Sequence, residues 1–294
     1  KIISPILSTM PDPFKFSKPR SRYAVVGHPV SHSKSPSIHR AFAKQCTVTM
    51  EYEAIQLDLG GFAQGVRNLQ AADFGGANVT LPFKEQARRI ADRLSPRATI
   101  AGAVNTLKFA DDGGIEGDNT DGAGLVVDLI QNIGISLAGI RLLVIGAGGA
   151  VRGILEPLLG AGVAGVTLVN RTHEKAERLV QEFSSHGLVE ACVLAKVGQI
   201  PFDLIINGTA ASLEGELPAL PSTVFAETTL VYDLAYADQL TPFLSLAKSA
   251  GVDRIADGLG MLVEQAAESF AIWHGIRPDT ARILADLGDQ ARFH

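Results

Sequence analysis

The stretch Val144-Ile145-Gly146-Ala147-Gly148-Gly149-Ala150 decides the fold. It leaves the apolar run Arg141–Ile145 and opens a helix-like run from Val151 to Leu159. A second strand-like run, Val166–Asn170, follows at the spacing of a βαβ unit. Glycines in such a turn let the backbone approach a pyrophosphate, and the helix N-terminus supplies unpaired N–H groups and a positive dipole end. Gly146, Ala147, Gly148, Gly149 and Ala150 are therefore expected to cradle a dinucleotide. An acidic residue at the end of the second strand would hold the ribose 2′-OH of NAD. This chain has Asn170-Arg171-Thr172 there, with Lys175 a few residues on. A neutral residue followed by cations and a hydroxyl suits a 2′-phosphate, so the expected cofactor is NADP. Taken alone, the same residues also fit a glycine turn in an ordinary α/β protein with a solvated basic loop.

The chain has 294 residues, which suits one large or two ordinary domains. Hydrophobic residues make up 46%, enough for a sizeable core, and the net charge of −5 is mild. No basic run points to nucleic acid and no apolar run has membrane-spanning length, so neither is expected as a partner. Cys46 and Cys192 form no metal or redox motif and fit a reducing cytosol, which predicts a cytoplasmic protein. His28 and His32 have a metal-ligand spacing, but Pro29 and the polar loop argue against a helix, so no metal is expected. Monomer and homodimer both stay open.

Outward from the glycine turn, strands and helices alternate in both directions. Residues 1–21 read as a loose leader, with four prolines before Tyr23; Met10 could be the native start. Tyr23–Gly27 reads as a buried strand, and Ser35-Pro36 as an N-cap with proline at the first helical position. Ile38, Phe42 and Cys46 then repeat on one helix face. Met50–Leu57 and Gly76–Thr80 read as strands, and a helix follows with Ala87, Ile90 and Leu94 inward. Val104–Phe109 and Ile115–Gly117 read as a hairpin around Asp111-Asp112-Gly113-Gly114. Asp121-Gly122 begins a helix. Later strands are expected at Phe202–Asn207 and Leu230–Ala235, and two helices in the tail. That predicts an α/β protein of two domains. Residues 22–121 plus 257–294 form an N-terminal α/β substrate domain, residues 122–256 a Rossmann-like NADP domain, and the C-terminal helices pack back on the first domain. A ligand cleft between the two is expected.

Three further stretches carry candidate chemistry. Ser31-His32-Ser33-Lys34-Ser35-Pro36 puts hydroxyls at a helix N-terminus, suited to a substrate carboxylate. A capped helix behind a polar loop would look the same. Asn78-Val79-Thr80-Leu81-Pro82-Phe83-Lys84 places a lysine in the first turn of a helix. Dipole and desolvation there both favour the neutral amine that a general base needs; the alternative is a surface lysine. Gly117-Asp118-Asn119-Thr120-Asp121-Gly122 gathers carboxylates and small polar groups, as a substrate site or as a turn and cap.

Together these stretches resemble shikimate dehydrogenase, from about Tyr23 to the C-terminus. Gly-Ala-Val-Asn-Thr at 102–106 and Asp-Gly-Leu-Gly-Met-Leu at 257–262 complete the set, in the family's order. The resemblance implies reversible reduction of 3-dehydroshikimate to shikimate with NADPH. It implies that Ser33 and Ser35 hold the substrate carboxylate, with Tyr236 near it. Thr80, Asn105 and Gln265 would bind ring hydroxyls, and Lys84 and Asp121 would be the catalytic pair. Met261 would pack near the nicotinamide, with Thr209, Leu234 and Gly258 also at the cofactor. Asn170, Arg171, Thr172 and Lys175 would surround the 2′-phosphate. Three departures stand out: Lys175 where arginine is common, Val151 at the third glycine of the strict motif, and Ala210-Ala211 where a serine is usual. A quinate/shikimate dehydrogenase using NAD or NADP is the nearest alternative. A non-catalytic NADP-binding regulator is the alternative of another class.

Overall fold

The computed structural model describes residues 21–198, 201–209, 220–226 and 228–288. The leader expected before Tyr23 and the Ala210-Ala211 departure lie outside the described residues, apart from Ser21. The first half runs β1 (Arg22–Gly27), α1 (Ser35–Gln45), β2 (Glu51–Gln56), α2 (Phe62–Ala71), β3 (Phe74–Val79) and α3 (Lys84–Ile90). It continues through β4 (Arg93–Leu94), α4 (Pro96–Ala101), β5 (Thr106–Phe109) and β6 (Ile115–Asp118). These strands form one sheet in the order β2-β1-β3-β5-β6-β4. β1 pairs in parallel with β2 and β3, whereas β5 is antiparallel to both β3 and β6. Helix α5 (Asp121–Val127) then crosses to the second half and continues as a π-helical turn at Asp128–Asn132.

The second half contains β7 (Arg141–Ile145), α6 (Gly149–Gly160), β8 (Gly165–Val169), α7 (His173–Phe183) and β9 (Val189–Ala191). It ends with β10 (Leu204–Asn207), β11 (Leu230–Asp233), α8 (Pro242–Ser249) and β12 (Ile255–Ala256). Among the described residues all its pairings are parallel, in the order β12-β11-β10-β7-β8-β9. Central strands of such a sheet are covered on both faces, so they read as unbroken apolar runs rather than alternating ones. β7 fits: Leu142, Val144 and their neighbours in α6 fill one core, while Leu143 and Ile145 fill another with α8. The strand order reverses between β7 and β10. The carboxyl ends of those two strands therefore flank the crevice where a doubly wound sheet binds its ligand.

The last two helices among the described residues are α9 (Leu259–His274) and α10 (Ala281–Gly288). The apolar face of α9, with Val263, Ala266, Ala267 and Phe270, packs with Ile38 and Phe42 of α1 and with Ile283 and Leu284 of α10. Nearer the start of the same helix, Met261 joins the core of the second sheet. Helix α9 thus spans both halves. Among the described residues no helix is long and apolar enough to cross a membrane.

Two local expectations need correction. Ser35 is not the cap of α1. The cap residue is Lys34, with no side-chain cap bond, and Ser35 N–H instead donates to Ser33 Oγ at 3.3 Å. Leu94 is not on α3, which ends at Ile90. It lies in the two-residue strand β4 beside β6, although it still packs into the core of the first sheet.

Candidate active site

The first sheet supplies one wall of a cleft from the loops that follow parallel strands. The loop after β1 carries Ser33 and leads to Ser35; the loop after β3 carries Thr80 and leads to Lys84. The second sheet supplies the other wall in the same way, after β7, β8, β10 and β11. A cavity of about 1080 Å³ lies between them. It is lined by every residue expected at the substrate: Ser33, Ser35, Thr80, Lys84, Asn105, Asp121, Tyr236 and Gln265. The glycine turn from Gly146 to Ala150, Asn170, Arg171, Thr209, Leu234, Gly258 and Met261 line it too. Thr172 and Lys175 do not: both are exposed, and Thr172 stands at the N-cap position of α7 without a side-chain cap bond.

Lys84 and Asp121 meet on the cavity floor. Lys84 Nζ lies 2.6 Å from Asp121 Oδ2, with the two side chains only 12% and 6% exposed. Lys84 is the first residue of α3, as its spacing suggested, but it does not stand there alone against the helix dipole: Asp121 supplies the counter-charge. Asp121 is held from two more sides. Asn105 Nδ2 donates to Oδ1 at 2.9 Å, and the Asp121 N–H donates to Asn119 Oδ1 at 3.1 Å. Asn105 Nδ2 also reaches Thr120 Oγ1 at 2.8 Å and Gln265 Oε1 at 3.2 Å. Gln265 comes from α9, 160 residues away.

The cleft mouth is bridged at the serine end. Burial pushes the Tyr236 phenol up, and its bonds to the Lys34 backbone and the Ser33 side chain act against that. Lys34 Nζ lies 2.9 Å from Asp238 Oδ1. Just behind, burial raises Asp233 to about 6 even though Thr241, Asn207 and the Ala235 N–H all donate to it.

The glycine turn has the backbone shape and the open space that a pyrophosphate needs. Gly146 has φ +116°, a region that disfavours any residue with a Cβ. Gly148 caps α6, no side chain caps that helix, and a Cβ on Gly148 would meet nothing within 4 Å. Backbone there is open to the cavity. A Cβ on Gly149 would stand 3.5 Å from Lys84 Cβ, so the turn abuts the Lys84–Asp121 pair. Val151, at the third glycine of the strict motif, is accommodated by Gly208: a Cβ on Gly208 would lie 2.5 Å from Val151 Cγ2.

Among the polar lining residues, Asn78, His173 and His32 have no substrate or cofactor role in the sequence reading, His32 being weighed only as a metal ligand. Asn78 carries a signal, since it is the one polar side chain in the strand Phe74–Val79, which is buried throughout. Among the described residues no group of three or more His, Cys, Asp or Glu could hold a metal.

Comparison with known proteins agrees with this geometry. Residues 25–107 match the family model for the shikimate dehydrogenase substrate binding domain. Residues 128–215 match shikimate / quinate 5-dehydrogenase, and residues 258–285 the shikimate 5′-dehydrogenase C-terminal domain. A shikimate dehydrogenase (NADP(+)) of Aromatoleum aromaticum is 51% identical over 92% of this chain and 97% of its own. One from Hahella chejuensis is 52% identical over 90% of this chain and 97% of its own. Among solved structures, the Ael1 enzyme from Pseudomonas putida superposes with a TM-score of 0.84 at 45% identity, over 91% of this chain and 98% of that one. Shikimate 5-dehydrogenase from Thermus thermophilus, in complex with NADP(H) and shikimate, has a TM-score of 0.80 at 35% identity, over 92% and 100%.

Proposed function

The chain belongs to the shikimate dehydrogenase family, and from that premise we propose how its residues divide the work. The protein catalyses the reversible, NADPH-dependent reduction of 3-dehydroshikimate to shikimate, in the pathway to chorismate and the aromatic amino acids. The observation that carries the assignment of roles is the Lys84–Asp121 pair, nearly buried and in contact with the glycine turn.

Residues 22–121 with 257–294 act as the substrate-binding unit, and residues 122–256 as the NADP-binding unit. Ser33 and Ser35 donate to the substrate carboxylate, and Tyr236 closes over that end. Thr80, Asn105 and Gln265 orient the ring hydroxyls. The turn from Gly146 to Ala150 holds the pyrophosphate on the N-terminus of α6. Asn170 and Arg171 take the 2′-phosphate, with Thr172 and Lys175 contributing from further out. Thr209, Leu234, Gly258 and Met261 form the wall against the nicotinamide half. When bound, NADPH supplies the hydride.

The chain's own task is position and the proton. As the ketone carbon is reduced, negative charge develops on its oxygen. Lys84 Nζ donates its proton to that oxygen. In the reverse direction the neutral Lys84 amine takes the proton from the shikimate hydroxyl. Asp121 orients that hydroxyl with one carboxylate oxygen and stabilises the ammonium with the other. The cleft walls keep bulk water from the pair, which strengthens both interactions. We place the enzyme in a reducing cytosol, where Cys46 and Cys192 stay as free thiols. Initial rates with shikimate and quinate, each with NADP and NAD, test the reading. Shikimate with NADP is expected to give the highest kcat/KM, and quinate or NAD outrunning it would overturn the assignment.

A further inference from the structure

Asn105 can serve Asp121 only if its amide faces the right way. The Thr120 N–H donates to Asn105 Oδ1 at 2.9 Å, so Oδ1 lies on that side and Nδ2 faces Asp121. A second donor reaches the same oxygen: Thr106 Oγ1, at 2.9 Å. Thr106 Oγ1 in turn lies 2.8 Å from Ser269 Oγ on α9. Ser269 Oγ accepts from Asn78 Nδ2 at 2.9 Å and lies 3.3 Å from Thr120 Oγ1. Thr106, Thr120 and Ser269 are fully buried, and neither Thr106 nor Ser269 is among the residues lining the cavity. Their hydroxyls therefore act on the substrate only through other residues.

We propose that Thr106 and Ser269 are positioning residues for the proton-transferring pair. Their coupled hydroxyls pin the Asn105 amide, Asn105 pins Asp121 Oδ1, and Asp121 is left with Oδ2 turned to Lys84. The chain of contacts draws on β3, β5, the turn before α5 and α9, so it also fixes how α9 presents Gln265. The inference rests on the roles given above to Lys84 and Asp121. A loosened amide would let the carboxylate tilt, and a small misplacement of reacting groups costs rate more than affinity.

The test is Thr106→Val, which keeps the shape and the strand preference while removing the hydroxyl. Asn105 Oδ1 keeps the Thr120 N–H and Asn78 Nδ2 keeps Ser269, so neither group is stranded. The wild-type protein is assayed first with shikimate and NADP. Thr106→Val is expected to lower kcat about tenfold, the scale of one lost hydrogen bond, with the shikimate KM within about threefold and the NADP KM unchanged. Thr106→Ser returns the hydroxyl and is expected to recover at least about half of the wild-type kcat. Ser269→Ala is expected to show the same kcat-led pattern, and the double variant to fall short of the summed losses. Ser269→Ala carries the test if Thr106→Val fails to fold. Wild-type turnover in Thr106→Val, or a lost kcat that Thr106→Ser does not return, would overturn the inference. A wild-type protein inert toward shikimate would overturn the functional reading instead.

Discussion

His39 on α1 makes the stability of this enzyme depend on pH in a calculable way. The ring is fully buried, and among the described residues neither nitrogen has a hydrogen-bond partner. It stacks on Tyr52 with centroids 4.2 Å apart and planes 8° apart, with Phe42 edge-on and Trp273 beside it. Burial, opposed by the Asn78 side chain and helped slightly by nearby His274, lowers His39 from 6.5 to about 3. A lowered histidine is neutral in the folded state and takes a proton on unfolding. The unfolded chain therefore binds more protons between about pH 3 and 6.5, and stability falls as pH drops through that window. At about pH 5 the loss from this one group is about 2 kcal/mol, and above about pH 7.5 it vanishes. His39→Leu keeps an apolar side chain of similar size and has no proton to take. Urea unfolding of both proteins across that range gives the comparison. Relative to the variant, the wild-type protein is expected to lose about 2 kcal/mol on going from neutral pH to about pH 5. His274, which burial also lowers, is present in both proteins and largely drops out of the difference. A gap that stays constant with pH would refute the claim that this ring is held neutral by burial.

Three further outcomes follow from the cavity. Gly148→Val adds a side chain where nothing stands within 4 Å, so the melting temperature should hold while NADP affinity, read by calorimetry, drops at least about tenfold. Unchanged affinity would show that the turn does not carry the cofactor. Arg171→Ala should raise the KM for NADP far more than that for NAD, because only NADP offers a 2′-phosphate; equal losses would point to general damage to the loop. Ser33→Ala should weaken shikimate binding about tenfold, one charge-assisted bond, and leave NADP binding alone. Calorimetry of both ligands decides it, and unaltered shikimate affinity would remove Ser33 from the carboxylate site.

Much of the second half was legible because its signals are local. The β7 run, the glycine turn and the start of α6 are contiguous, and their residue types are dictated by burial and backbone shape. Spacing alone marks Lys84 and Asp121 as separate stretches, and only the family resemblance pairs them: they are 37 residues apart, and the packing of β3 and β5 beside α5 brings them together. The short strands β4, β9 and β12 have two or three residues each, too few for a periodicity, and exist because a neighbour pairs with them. Ser35 misled because a serine before proline is the usual cap pattern, while here the hydroxyl that meets the Ser35 N–H comes from Ser33. The Thr106–Ser269 contact spans 163 residues between a strand and a helix, and no spacing rule reaches that far.

The most direct test of the account is turnover in a cycle of Lys84→Ala, Asp121→Asn and the double variant, with shikimate binding measured in parallel. Because the pair is nearly buried, Lys84→Ala leaves a carboxylate without its counter-charge, and the double variant separates that cost from the loss of the proton. Lys84→Ala is expected to cut kcat by about 10²–10⁴, the contribution of a positioned acid or base, while shikimate affinity changes much less. Asp121→Asn is expected to lose more binding, and the two losses in kcat should be non-additive. A folded Lys84→Ala protein that binds shikimate and turns over near the wild-type rate would contradict the account.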